Sequence, residues 1–177
     1  VVVLAAPTID KLAVEGHVVA GSRRDLVTSG VAVAVRSGAA RPVIDDEEAL
    51  KHAVLAAKTV SFSTGPSGVH INKLFARWGI TDALQGRIVE AAPGVPVGSL
   101  IASGKVELGF QQLSELLHLD GIDVIGPLPP AAQIITTFSA GLASTSARAV
   151  DVTALLARWT AAAAMAAKHR NGMEAAA

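Results

Sequence analysis

Cysteine is absent from the 177-residue chain. That removes disulfides, thiolate chemistry and cysteine-based zinc sites, and it suits an oxidising or a reducing compartment equally. Aromatics are scarce, with four Phe and two Trp, and the fifteen basic and fifteen acidic residues form no basic block. Nucleic-acid binding normally needs a basic patch or stacking rings, so no nucleic-acid partner is expected. No apolar run approaches the roughly 18–20 residues that cross a bilayer. The Ala-rich TAAAAMAA is flanked by Arg158, Trp159, Lys168, His169 and Arg170 and reads as an ordinary helix, so no membrane insertion is expected. A basic stretch followed by an apolar one is also missing, so no signal peptide is read in the chain. The histidines at 17, 52, 70, 118 and 169 show neither HxH nor HExxH spacing. No metal centre and no cofactor are expected.

What is present is material for a core. Hydrophobic residues, largely Ala and Val, make up 51% of the chain and charged ones only 17%, which argues against disorder and allows one domain or two small lobes. VVVL (1–4) is a β-branched run of the kind found in a parallel strand covered on both faces. It opens as a strand already in progress, which suggests that residues precede it in the intact protein. TIDKLAVEG reads as a helix closed by Gly16. SGVAVAVRSG (29–38) reads as a strand, and a helix starts at Asp45-Asp46-Glu47-Glu48, where acidic side chains complement the helix dipole. Strands are then expected at 59–63, 86–92, 106–110, in GIDVIGPLP and at 133–144. Helices are expected at 67–78, after GVPVG, at QLSELLHL, and at about 146–158 and 159–170. Strands alternating with helices imply a largely parallel α/β sheet. The two longer strands, near 29–36 and 134–143, are compatible with crossings between two lobes.

The most informative stretch is STGPSG (63–68), a small polar turn between a strand and a helix. In open α/β sheets ligands collect at the carboxyl ends of strands, where helix N-termini offer free N–H groups and a positive dipole end. Gly65 and Gly68 would let the backbone approach a ligand, Ser63, Thr64 and Ser67 carry hydroxyls, and Pro66 stiffens the turn. The plain alternative is that these residues only cap the helix. The segment lacks the GxxxxGK[ST] spacing of a nucleotide-binding loop, with Lys73 well inside the helix. APGVPVGSL (92–100) and LGFQQLSE (108–115) form two similar corners. None of the three turns contains Arg or Lys, so an anion held where they converge would be held by neutral donors. Ser67 followed by His70 invites a hydrolase reading, but GPSGVH is not a GxSxG elbow. His70 remains a weak catalytic candidate, since a lone His on such a helix is more often a surface or supporting residue.

The run from VVVLAAPTIDKLAVEGHVVAGSRRDLVTSGVAVAVRSGA through STGPSGVH, GVPVGSLIASGKVELGFQQLSELL and FSAG to HRNGMEAAA resembles the molybdate-binding-like group of periplasmic solute-binding proteins. The resemblance covers nearly the whole chain. It implies two α/β lobes with ligand closed between them, a periplasmic location, and the membrane subunits of an ABC importer as partner. Lobe one would be residues 1–32 and 134–177, incomplete because the family's N-terminal segment is lacking, and lobe two 33–133. The implied ligand, a small anion, would meet Ser63, Thr64, Gly65, Ser67, Gly68, Val95, Pro96, Val97 and Gln112. Gln112 matches a position where molybdate binders often use Tyr. An amide both donates and accepts, so that departure leaves room for small organic acids beside oxyanions. Some relatives of this group isomerise small unsaturated carboxylates, which keeps a cofactor-independent isomerase open as the alternative.

Overall fold

The computed structural model describes residues 1–92 and 94–176. Two compact units divide the chain, one formed by Val1–Ser29 with Ile135–Ala177 and the other by Gly30–Ile134. In chain order the first elements are β1 (Val2–Ala5), α1 (Ala6–Val14), β2 (Arg24–Arg36), α2 (Glu47–Ala56), β3 (Val60–Phe62) and α3 (Pro66–Arg77). A 3-10 turn (Asp82–Leu84) precedes α4 (Val97–Ala102), β4 (Leu108–Gln112), α5 (Leu113–Leu116), β5 (Ile122–Pro127) and β6 (Ile135–Gly141). The chain ends with α6 (Ala149–Thr160), a second 3-10 turn (Ala162–Ala164), α7 (Met165–Arg170) and β7 (Glu174–Ala175).

In the unit Gly30–Ile134 the Val-Ala alternation of β2 separates large from small side chains, not inside from outside. Val31, Ala32, Val33 and Ala34 are all fully buried. The Val residues pack with Ile71, Leu74, Phe75, Phe62 and Phe110 on one face of the sheet. Ala32 and Ala34 lie on the other with Val97 and Ile101. Small residues are needed there because α4 sits very close. A Cβ added to Gly109 would lie 2.5 Å from the Ile101 side chain and 2.7 Å from that of Val97. On the opposite face α3 presents Ile71, Leu74 and Phe75 at helical spacing, and each such side chain contributes roughly 1.5–3 kcal/mol by leaving water. Phe75 meets Phe62 and Phe110 edge-on, at centroid distances of 5.9 and 6.0 Å.

The sheet differs from the expected largely parallel one in a specific way. β3 and β4 are parallel, as helix-connected strands should be. β4 and β5 both run antiparallel to β2, so β2 is the strand running against its helix-connected neighbours. The strand expected at 86–92 reduces to one bridge, Val60 with Ile88. Val60 donates to the Arg87 carbonyl and accepts from the Val89 N–H, after which the chain leaves the sheet. Arg87 turns inward instead, and its Nη2 donates to the carbonyls of Leu55 and Ala57. It thereby supplies the positive charge that the last turn of α2 lacks.

In the other unit β1 pairs with β6 antiparallel, and β7 pairs with β2. β1 was expected to be parallel and covered on both faces. Val3 and Leu4 are instead 45% and 38% exposed, and burial in this strand is confined to Ala5, next to the buried Ala6 and Ile9 of α1. The core here is smaller, with Leu26, Val27, Ala140, Val152 and Leu156. Arg23 donates through Nε and Nη2 to both oxygens of Asp25, at 2.8 and 3.0 Å, and through Nη1 to Asp10. The buried hydroxyl of Ser139 donates to Asp25 at 2.5 Å. Arg23, then Ser139, holds the Asp25 carboxyl below the usual aspartate range. Among the described residues no single helix is long and apolar enough to cross a membrane. Ala149–Thr160 and Ala162–Arg170 pass only as a pair bent by 66°.

Candidate functional site

Parallel pairing of β3 and β4 aligns Phe62 with Phe110, so the residues that follow each strand emerge at the same edge of the sheet. There the three corners read from the sequence come together. A depression of about 470 Å³ is lined by Ser63, Thr64 and Gly65 from the first corner and by Gln111 and Glu115 from the third. Ala91, Ala92, Gly94, Val95 and Pro96 line it from the middle segment. Pro93 of that segment lies outside the described residues. The position, at the carboxyl ends of two parallel strands and beside the start of α3, is the one where α/β sheets bind ligands.

The first corner is tightly built. The hydroxyls of Ser63 and Ser67 lie 2.9 Å apart, and the Gly65 N–H donates to Ser63 Oγ at 3.3 Å. Ser67 is 1% exposed, so its hydroxyl orients Ser63 from behind and does not line the depression. Gly68 is buried too, and a Cβ there would lie 1.5 Å from the Ser63 carbonyl oxygen. Only glycine lets α3 begin this close to the strand end. Val97 is fully buried at the start of α4, leaving Val95 and Pro96 as that corner's surface.

Of the nine expected ligand residues, Ser63, Thr64, Gly65, Val95 and Pro96 line the depression. Ser67, Gly68, Val97 and Gln112 are buried behind it. Gln112 stands opposite Val31 and Gln111 opposite Ala32 in the β2–β4 ladder. Since successive side chains alternate faces, these two amides point to opposite sides of the sheet, and Gln111 is the one in the lining. Its Oε1 accepts the Val97 N–H at 3.0 Å in a buried contact, capping α4. With that oxygen committed to Val97, the NH2 end of the amide is the part of this 7% exposed residue left to serve the depression.

His70 stands elsewhere. Its Nε2 lies 2.8 Å from the Ala132 carbonyl, which ties α3 to the loop ahead of β6. Among the described residues Glu115 is the one ionisable residue in the lining, exposed on α5. No group of His, Cys, Asp and Glu among the described residues could hold a metal ion. The sequence carried a partial signal for Gln111, a pair of amides at a strand end. Choosing between the two required knowing which face of the sheet α4 covers.

Residues 1–174 match the family described as bacterial extracellular solute-binding protein. The chain is 38% identical over 157 residues to an aconitate isomerase from a Pseudomonas species, covering 88% of this chain and 60% of that protein. It is 34% identical over 116 residues to the molybdate-binding protein of Azotobacter vinelandii, covering 64% of this chain and 44% of that protein. It therefore spans about 60% and 44% of the lengths of these two relatives. The solved structure of the Azotobacter vinelandii periplasmic molybdate-binding protein superposes with a TM-score of 0.77 at 22% identity, over 98% of this chain and 76% of that one. The architecture is the two-lobe α/β fold of periplasmic binding proteins, and the chain belongs to the bacterial extracellular solute-binding protein family.

Proposed function

We propose that the unit Gly30–Ile134 holds a small anion, an oxyanion or a small carboxylate, at the depression formed by Ser63, Thr64, Gly65, Gln111 and the 94–96 turn. The bound solute would be handed to the membrane subunits of an ABC importer, and the protein would work in the periplasm. The carrying observation is the Gln111 amide, nine-tenths buried in the lining, with its oxygen already committed to the Val97 N–H, so that a ligand would meet its NH2 end. The hydroxyls of Ser63 and Thr64 add donors beside the start of α3, whose first N–H groups and dipole favour negative charge. Family membership supports the same reading. Binding would rest on hydrogen bonds from neutral groups, because no cation among the described residues lines the depression.

A thermal-shift screen tests this with molybdate, sulfate, phosphate and small di- and tricarboxylates. A ligand at about 100 times its Kd adds roughly 2.7 kcal/mol, which for a chain of this length raises Tm by roughly 5–10 °C. No shift with any of them would overturn the proposal.

The second reading, an isomerase of a small unsaturated carboxylic acid, is favoured by the 38% identity to the aconitate isomerase. A proton shuttle needs a base within hydrogen-bond reach of the substrate carbon. Glu115 is positioned at the depression for that role, whereas His70 is bonded to Ala132. Incubating the chain with cis-aconitate and resolving the products by chromatography decides it. A trans isomer formed by the wild type and lost in Glu115→Gln would establish catalysis, and its absence in the wild type would dismiss this reading.

A further inference from the structure

The depression pairs an obligate donor with an uncommitted carboxylate, and that pairing discriminates between anions. Gln111 cannot present its carbonyl oxygen to a ligand, because turning the amide over would set its NH2 against the Val97 N–H and leave two buried donors facing each other. The side chain is thus fixed as a donor. Glu115 makes no ion pair or hydrogen bond among the described residues, and no Lys or Arg shares the lining. An anion seated on Gln111 and the 63–65 corner therefore has a negative charge at its rim with no cation to offset it. A fully deprotonated tetrahedral dianion has only acceptors to show to that carboxylate. A ligand with a hydroxyl beside its anionic group can donate to Glu115 while accepting from Gln111 and Ser63.

Resting on the proposed anion-binding function, we infer that the site selects a small hydroxy-carboxylate, with Gln111 reading the carboxylate and Glu115 the hydroxyl, and disfavours bare oxyanions such as molybdate. The discriminating element is Glu115, a charge that a site built for molybdate alone would gain by losing.

Isothermal titration calorimetry on the chain tests this with three probes: citrate, tricarballylate (the same tricarboxylate skeleton without the hydroxyl) and molybdate. Wild type is expected to bind citrate most tightly and molybdate least. Glu115→Gln should tighten molybdate by about threefold to tenfold, the scale of one partly screened charge at close range. It should also narrow the gap between citrate and tricarballylate. Gln111→Glu keeps an oxygen for the Val97 N–H but replaces the donor by an acceptor. Measured well below its Tm, which the buried carboxylate lowers, it should lose on the order of 30-fold or more in citrate affinity. Tighter binding of molybdate than of citrate by wild type, unaltered by Glu115→Gln, would overturn the inference and leave the anion-binding function standing. Wild-type citrate affinity in Gln111→Glu would overturn the donor assignment. Failure of all three probes to bind would overturn this inference, and the sulfate, phosphate and dicarboxylate arms of the thermal-shift screen would then decide the anion-binding function.

Discussion

Two serines show how much a single hydroxyl's surroundings decide. Ser61 and Ser139 are both fully buried in strands. Ser139 donates to Asp25, whereas the Ser61 hydroxyl has no hydrogen-bond partner among the described residues. Losing a hydrogen bond to a charged group costs about 1.5–3 kcal/mol, while deleting an unsatisfied buried hydroxyl is neutral or stabilising. Chemical denaturation should therefore find Ser139→Ala destabilised by about 2 kcal/mol and Ser61→Ala no less stable than wild type. Asp25 also sets a pH dependence. Its folded-state pKa is lowered by Arg23 and Ser139, so the stability it contributes is fully present above the unfolded aspartate value of about 3.9. That stability is lost as pH falls through the lower folded value. Ser139→Ala removes part of the shift, and its acid-unfolding midpoint should lie at higher pH than that of wild type.

At the scale of elements, close approach governs. α4 rests on Ala32, Ala34 and Gly109, and Gly98 in α4 faces Leu119, whose side chain a Cβ would meet at 2.3 Å. Replacing Gly109 by Val would force α4 outward or drive Ile101 and Val97 off their rotamers, at about 1–3 kcal/mol or more. Since Val97 is also the residue that holds Gln111, the variant should lose ligand affinity as well as stability. Urea unfolding together with a citrate titration would reveal both effects. A loss of stability alone would show that the amide is held independently of α4. The three corners could be read from the sequence because each carries Gly, Pro, Ser or Thr between a strand and a helix. The face on which they met could not be read. Val-Ala alternation resembles a strand with one buried face, yet both faces of β2 are covered, and the alternation instead sorts large from small. The expected strand at 86–92 failed for a related reason. Its apolar residues are used to close one bridge and then to line the depression.

For the whole molecule, the two larger core clusters lie entirely between Val31 and Ala132, and so within the continuous unit Gly30–Ile134. A chain of that length with its own core is of ordinary domain size. Residues 30–134 expressed alone should unfold cooperatively in a circular-dichroism melt, and a broad non-cooperative trace would refute this. The unit Val1–Ser29 with Ile135–Ala177 is discontinuous and has a smaller core, and no such independence is expected of it.

Residue order alone determined the α/β class, the placement of most helices and strands, and the three polar corners, because these depend on local propensity, short-range periodicity and turn chemistry. The resemblance to solute-binding proteins followed from the same local motifs in their order. Only the tertiary structure decided that β2 runs against its helix-connected neighbours and that Ser67 and Val97 support the site from behind. It also decided that Gln111, not Gln112, lines the depression and that His70 is occupied by Ala132. Each of these depends on which face of a strand a second element covers. A side chain one residue along a strand points to the opposite face, so a single step in sequence separates an amide that lines the depression from one buried behind it.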